Sequence, residues 1–145
     1  MGRLKYYKNN NKIYLSLSKG EFINKSLKKI AKELEIKGAW INGIGAIQDP
    51  EIGFYILDSK EYKKKNYFGI YELTSLTGNI AINDGEPIVH THATFSDINY
   101  KVYGGHLFDA QIAVTGEVII FTSDDSINRN YNDEIGLSLW CLSKK

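Results

Sequence analysis

Gly20-Glu21-Phe22-Ile23-Asn24-Lys25-Ser26-Leu27-Lys28-Lys29-Ile30-Ala31-Lys32-Glu33-Leu34-Glu35 decides the class of fold. Phe22, Ile23, Leu27, Ile30, Ala31 and Leu34 recur at three- and four-residue steps, while Lys25, Lys28, Lys29, Lys32 and Glu33 fall on the other side. This is the period of an amphipathic helix near residues 20–35, with Gly38 as its stop. The lysine face, with Glu intermixed, reads as a solvated surface rather than an anion-binding one. N-terminal to the helix, Arg3–Lys8 and Lys12–Ser18 read as a hairpin around Asn9-Asn10-Asn11. C-terminal to it only strands and turns are expected: 39–48, a turn at Asp49-Pro50, 51–58, a charged loop or edge at 60–66, then 67–74 and 76–82. A turn at Asn83-Asp84-Gly85, then 88–95, 102–110, 111–115, 117–122 and 135–142, complete the series. One helix followed by many short strands predicts an α+β fold: a single compact domain, residues 1–145, on a largely antiparallel sheet.

The length of 145 residues suits one domain that buries enough surface to need no disulfide or structural metal for folding. Eighteen basic residues against seventeen acidic ones leave a net charge of +1, which argues against bulk attraction to nucleic-acid phosphates or an acidic membrane. Among the basic residues only Arg3 and Arg129 are arginine, and arginine forks carry most base-specific readout. Cys141, in the apolar run 137–142, is expected to be a buried small hydrophobe, and Trp40 and Trp140 to lie in a core or interface. The first eight residues lack a signal-peptide core, and no apolar run approaches the roughly 20 residues of a membrane span. A cytoplasmic, reducing setting is therefore expected. Gly43-Ile44-Gly45 lacks the third glycine and following helix of a dinucleotide loop, and no glycine-rich run ends in Lys-Ser/Thr.

All three histidines fall between His90 and His106. On a strand through 88–95, His90 and His92 share one face and Thr91 points the other way. His106 follows Gly104-Gly105, whose lack of side chains permits close strand approach. The spacing His-x-His-x13-His predicts a metal site of three neutral imidazoles with a fourth position open, the layout of catalytic rather than closed structural zinc. Asp97 and Asp109 are the candidates to orient ring N–H groups from behind.

His90-Thr91-His92-Ala93-Thr94-Phe95-Ser96-Asp97 with Gly104-Gly105-His106-Leu107 resembles the signature of the plants and prokaryotes conserved (PPC) domain family. Gly43-Ile44-Gly45-Ala46, Glu51-Ile52-Gly53-Phe54-Tyr55 and Glu72–Ile80 resemble its other segments. The resemblance implies an α+β fold, a homotrimer, and a fold similar to acetolactate decarboxylase and to a metal-dependent ester hydrolase family. Both of these place zinc on a His-x-His and a downstream His, a pattern that His90, His92 and His106 fit. It also brings a DNA-binding label, which in plants accompanies an AT-hook; this sequence contains no Arg-Gly-Arg-Pro-like hook. Neither Arg3 nor Arg129 matches the decarboxylase's arginine by context, and Glu51, Glu72 and Glu117 are not ranked as its acid partner, so catalytic residues are not assigned. The expected role is binding of a divalent transition metal, zinc by ligand type, together with a small-molecule ligand or partner. The alternatives are a zinc-dependent hydrolase or lyase and, by label alone, a DNA-binding regulator.

Overall fold

A computed structural model describes residues 4–142; Arg3, expected to begin the first strand, lies outside them. The elements are β1 (Lys5–Asn9), β2 (Lys12–Ser18), α1 (Ile23–Glu33), β3 (Ala39–Ile56), β4 (Glu61–Asn66), β5 (Ile70–Asn83), β6 (Glu86–Ser96), β7 (Val102–Thr122), β8 (Asn128–Asn132) and β9 (Leu137–Cys141). One helix and a mostly antiparallel sheet bear out the expected pattern; the one parallel contact among the described residues is Ile82 with Asn128, between β5 and β8. No helix among the described residues is long and apolar enough to cross a membrane.

The strands are fewer and longer than the sequence suggested. Asp49-Pro50 is not a turn but a bulge inside β3, where the register against β7 shifts between Gln48 and Glu51. Asp49 takes a left-handed φ of 50°, and its carboxylate accepts from Gly69 N–H at 2.7 Å. Proline's missing N–H costs nothing at a bulge, where the ladder is already interrupted. Residues 67–74 and 76–82 likewise merge, from Ile70 onward, into β5 with a register shift between Leu73 and Ser75, and the three segments after Lys101 form the 21-residue β7. These bent strands let the pairings β3–β5, β5–β6, β6–β7 and β7–β3 close a circuit. The charged segment expected as loop or edge is the edge strand β4, and β8 was not foreseen.

The helix ends earlier than Gly38. Glu35 adopts φ 51°, its N–H donates to Lys32 O, and Ile36 N–H donates to Ala31 O at 2.9 Å. This is a left-handed C-terminal cap with an apolar residue, Ile36, folded back into the core. Gly38 serves a different need: a Cβ there would stand 2.7 Å from Ile127 Cγ1. Eleven residues make a marginal helix in isolation. Burial of Ile23, Leu27, Ile30 and Ala31 supplies its stability, against the core that Ile13, Leu15 and Leu17 of β2 also face. Cys141 is exposed, because β9 belongs to a terminal hairpin whose outer face no described residue covers; Trp40 and Trp140 remain 47% and 44% exposed.

Candidate metal centre

The β6–β7 ladder runs from Ser96–Val102 to His92–His106 and stops there. Beyond it the strands splay, and Asn24 of α1 spans the opening. Its Nδ2 donates to Leu107 O at 2.9 Å and Phe108 O at 3.0 Å, and its Oδ1 accepts from the fully buried Thr91 hydroxyl at 2.7 Å. Thr91 faces the helix, so His90 and His92 face away from it, and His106, opposite His92 in the ladder, joins them. Two glycine contacts make this possible. A Cβ on Gly78 of β5 would overlap the His90 carbonyl oxygen, and one on Gly105 would stand 2.9 Å from Gly53 O.

The three imidazoles therefore converge, with one ligand atom from each lying within 4.8 Å of the others. His90 Nε2 and His92 Nε2 are 3.3 Å apart. That equals the edge of a tetrahedron, about 3.3–3.4 Å, for metal–nitrogen bonds near 2.0–2.1 Å. His106 Nδ1 is buried and has no hydrogen-bond partner. Tyr62 of β4 lies over the His106 ring at 4.7 Å and Phe108 meets it edge-on at 4.9 Å. Burial, then the neighbouring His90 and His92 and the Lys64 ammonium, push His106 down to about 4. Burial, Arg129 and His92 lower His90 as well. These two rings are thus neutral at physiological pH, the form in which imidazole binds a metal. An orphaned ring nitrogen, a tetrahedral edge already formed and unprotonated donors fit a zinc-type ion.

Asp97 and Asp109, expected behind the imidazoles, are engaged elsewhere. Asp97 accepts from Asn99 N–H, Lys101 N–H and the Tyr103 hydroxyl, closing the β6–β7 turn. Asp109 accepts from Asn24 N–H and Ala110 N–H on the helix side of β7, where it anchors the start of α1. Asp97 lies past the end of β6 in that turn, while strand alternation along β7 carries Asp109 to the side away from His106. Glu51 pairs with Lys64 at 3.0 Å, while Glu72 and Glu117 border a separate depression with Ile44 and Val114.

Arg129, which its sequence context did not connect to the site, stands against it. Its Nη1 donates to Ser138 O at 2.8 Å, and its Nη2 donates to Asn79 Oδ1 at 2.9 Å and approaches His90 Nδ1 at 3.4 Å. Asn79 is the ladder neighbour of His90 and also accepts from Trp140 Nε1 at 3.3 Å, so the β8–β9 hairpin is tied to the site through one amide. The available sequence signal was arginine scarcity itself: an uncommon residue in a short polar strand.

These features define a β-rich domain with one helix and a three-imidazole centre on its sheet. Residues 4–124 match the Plants and Prokaryotes Conserved (PCC) domain, and the chain belongs to that family, the one abbreviated PPC above. It is similar to a Bacteroides thetaiotaomicron protein described as a "putative dna binding protein", with 32% identity, TM-score 0.92, and 95% of this chain and 96% of that one covered. It is also similar to a metal-containing protein from Archaeoglobus fulgidus, with 30% identity, TM-score 0.84, and 98% and 100% covered. Acetolactate decarboxylase from Bacillus subtilis shares the fold, with 14% identity, TM-score 0.54, and 79% and 53% covered. Among curated proteins none matches by sequence.

Proposed function

We propose that this chain is a homotrimeric single-domain protein that holds one divalent transition ion, zinc by donor type, on His90, His92 and His106 and binds a small ligand there. The observation that carries the reading is the convergence of three imidazoles from two strands within 4.8 Å, backed by an unpartnered His106 Nδ1. An all-nitrogen imidazole set suits zinc among the common divalent ions. When bound, such an ion supplies Lewis acidity. The similarity to a metal-containing protein supports the reading. The single-domain reading of residues 1–145 draws support from Arg129, which lies beyond the family match and hydrogen-bonds to Asn79 within it. The trimer draws support from the family resemblance and from an uncovered apolar groove of about 610 Å³ that Tyr14, Ile44, Val118 and Ile119 line. The single exposed Cys141 accords with a reducing, cytoplasmic setting.

Elemental analysis of untagged protein should find about one zinc-type ion per chain, and His92→Ala should lose it. A metal-free wild-type protein that takes up no zinc on dialysis refutes the reading, as does an unchanged content in the variant. Light scattering tests the trimer. A zinc-dependent hydrolase or lyase is the second reading, favoured by a cavity of about 340 Å³ that His106 walls. Ester turnover that survives chelation refutes that version. DNA binding stands third: a net charge of +1 and an Arg129 turned into the fold both weigh against it. A gel shift with A·T-rich duplex at physiological salt tests it.

A further inference from the structure

We propose that Arg129 is a positioning residue of the imidazole cluster: it fixes the proton of the neutral His90 ring on Nε2, the nitrogen facing His92, and thereby limits how tightly the cluster holds an ion. The inference rests on the histidines being a metal site.

A neutral imidazole carries one N–H and one lone pair, and its neighbours decide which nitrogen has which. Arg129 Nη2 lies 3.4 Å from His90 Nδ1. A guanidinium has donors and no acceptor, so Nδ1 accepts and the ring proton stands on Nε2. The other side of the ring agrees. His90 Nε2–H then donates to His92 Nε2, 3.3 Å away, as a long hydrogen bond. The chain from Arg129 to His90 to His92 runs in one direction, with no donor facing a donor. The separation that suits two ligands of one ion therefore also suits a hydrogen bond between them, and Arg129 selects the hydrogen bond.

An ion held by Nε2 of both rings needs the opposite tautomer of His90, with its proton on Nδ1. Histidines that ligate metals donate this second N–H to a carboxylate, a carbonyl or water. At His90 that place is taken by a guanidinium, which meets an Nδ1–H donor to donor and sets a positive charge beside a cation. Arg129 is also anchored where it stands. Its Nη1 donates to Ser138 O at 2.8 Å and its Nη2 to Asn79 Oδ1 at 2.9 Å, and Asn79 is the ladder neighbour of His90. These partners are all neutral, so none of them offsets its charge. The terminal hairpin thus acts on the histidine cluster through a single side chain.

Nitrogen NMR of zinc-free protein made with isotope-labelled histidine, at neutral pH, reads the tautomer directly. With three histidines in the chain the spectrum is simple, and His90→Gln identifies the His90 signals. Wild type is expected to carry the His90 proton on Nε2, and Arg129→Gln, which removes the charge and offers an amide oxygen, should lose that preference. Competition with a chromogenic chelator at the same pH should show Arg129→Gln holding zinc at least about tenfold tighter than wild type. A residue that only props up the hairpin would give the opposite sign, since loosened imidazoles hold an ion less well. Zinc affinity equal or weaker in a folded Arg129→Gln, or a His90 proton on Nδ1 in zinc-free wild type, would overturn the inference and leave the metal reading standing. Zinc held by neither protein refutes the metal reading and this inference with it; zinc held by the variant alone supports both. If Arg129→Gln does not fold, the wild-type spectrum decides.

Discussion

Asn24→Ala removes the amide that spans the opening between β6 and β7. Three hydrogen bonds go with it, to Leu107 O, to Phe108 O and from the Thr91 hydroxyl, while the main-chain bond from Asn24 N–H to Asp109 survives. The two amide bonds are worth about 0.5–1.5 kcal/mol each, and a buried hydroxyl left without its acceptor costs about 1–3 kcal/mol. Alanine's better helix propensity returns about 0.5 kcal/mol. The net loss is about 1.5–5.5 kcal/mol, and at about 3 °C per kcal/mol for a domain of this size Tm falls by about 5–16 °C. Ser26→Ala is the control from the same helix. Its Oγ is buried and has no partner, so removal forfeits no bond and ends a desolvation cost; stability should stay level or rise. Urea unfolding followed by tryptophan fluorescence and circular dichroism reads both variants. An Asn24→Ala variant within about 0.5 kcal/mol of wild type, or a Ser26→Ala variant that loses as much as it, would refute the reasoning. A double-mutant cycle with Thr91→Val should return a coupling of about 1 kcal/mol.

Gly78→Ala forces a methyl against the His90 carbonyl and the Thr91 backbone; it should cost about 1–3 kcal/mol and weaken zinc retention against a chelator, and an unchanged affinity would mean that β6 is not positioned by this contact. Glu35→Gly relieves a left-handed residue at the helix C-terminus; a gain of about 0.5 kcal/mol is expected from denaturant midpoints, and a loss would contradict the capping geometry. Burial pushes the Asp109 carboxyl above its ordinary value despite backbone hydrogen bonds from Asn24, Ala110 and Lys25. The native state therefore holds that proton more readily than the unfolded chain. The carboxyl's contribution to stability grows as pH falls from neutrality through the raised value toward the ordinary one, then levels off. The stability of Asp109→Asn relative to wild type should accordingly be greatest at neutral pH and decline on acidification; a difference that grows instead would refute this.

Local patterns carried the legible part. The period from Phe22 to Leu34 specified the helix and its buried face, and turn chemistry specified Asn83-Asp84-Gly85. The alternation of Ile13, Leu15 and Leu17 specified which side of β2 is covered. The His-x-His spacing was likewise readable, because two side chains on one strand face are related by covalent geometry alone. Register was not readable. Asp49-Pro50 looks the same in sequence whether it turns a chain or bulges a continuous strand, and the choice is made by what pairs beside it, here Gly69 and β7. Cys141 was misjudged for a related reason: an apolar run records what a strand is able to bury, not whether anything packs over it.

The sequence by itself determined a one-helix, strand-rich chain whose three histidines fall within 17 residues, since these are matters of period and order. Only the tertiary structure decided that His106 stands opposite His92, that Asp97 and Asp109 turn away, and that Arg129 arrives beside His90 from 39 residues further on. Each of these depends on which strand lies next to which. That is set by the summed burial of the whole core and by glycines such as Gly78 and Gly105 that let backbones close, and neither is encoded at any one position.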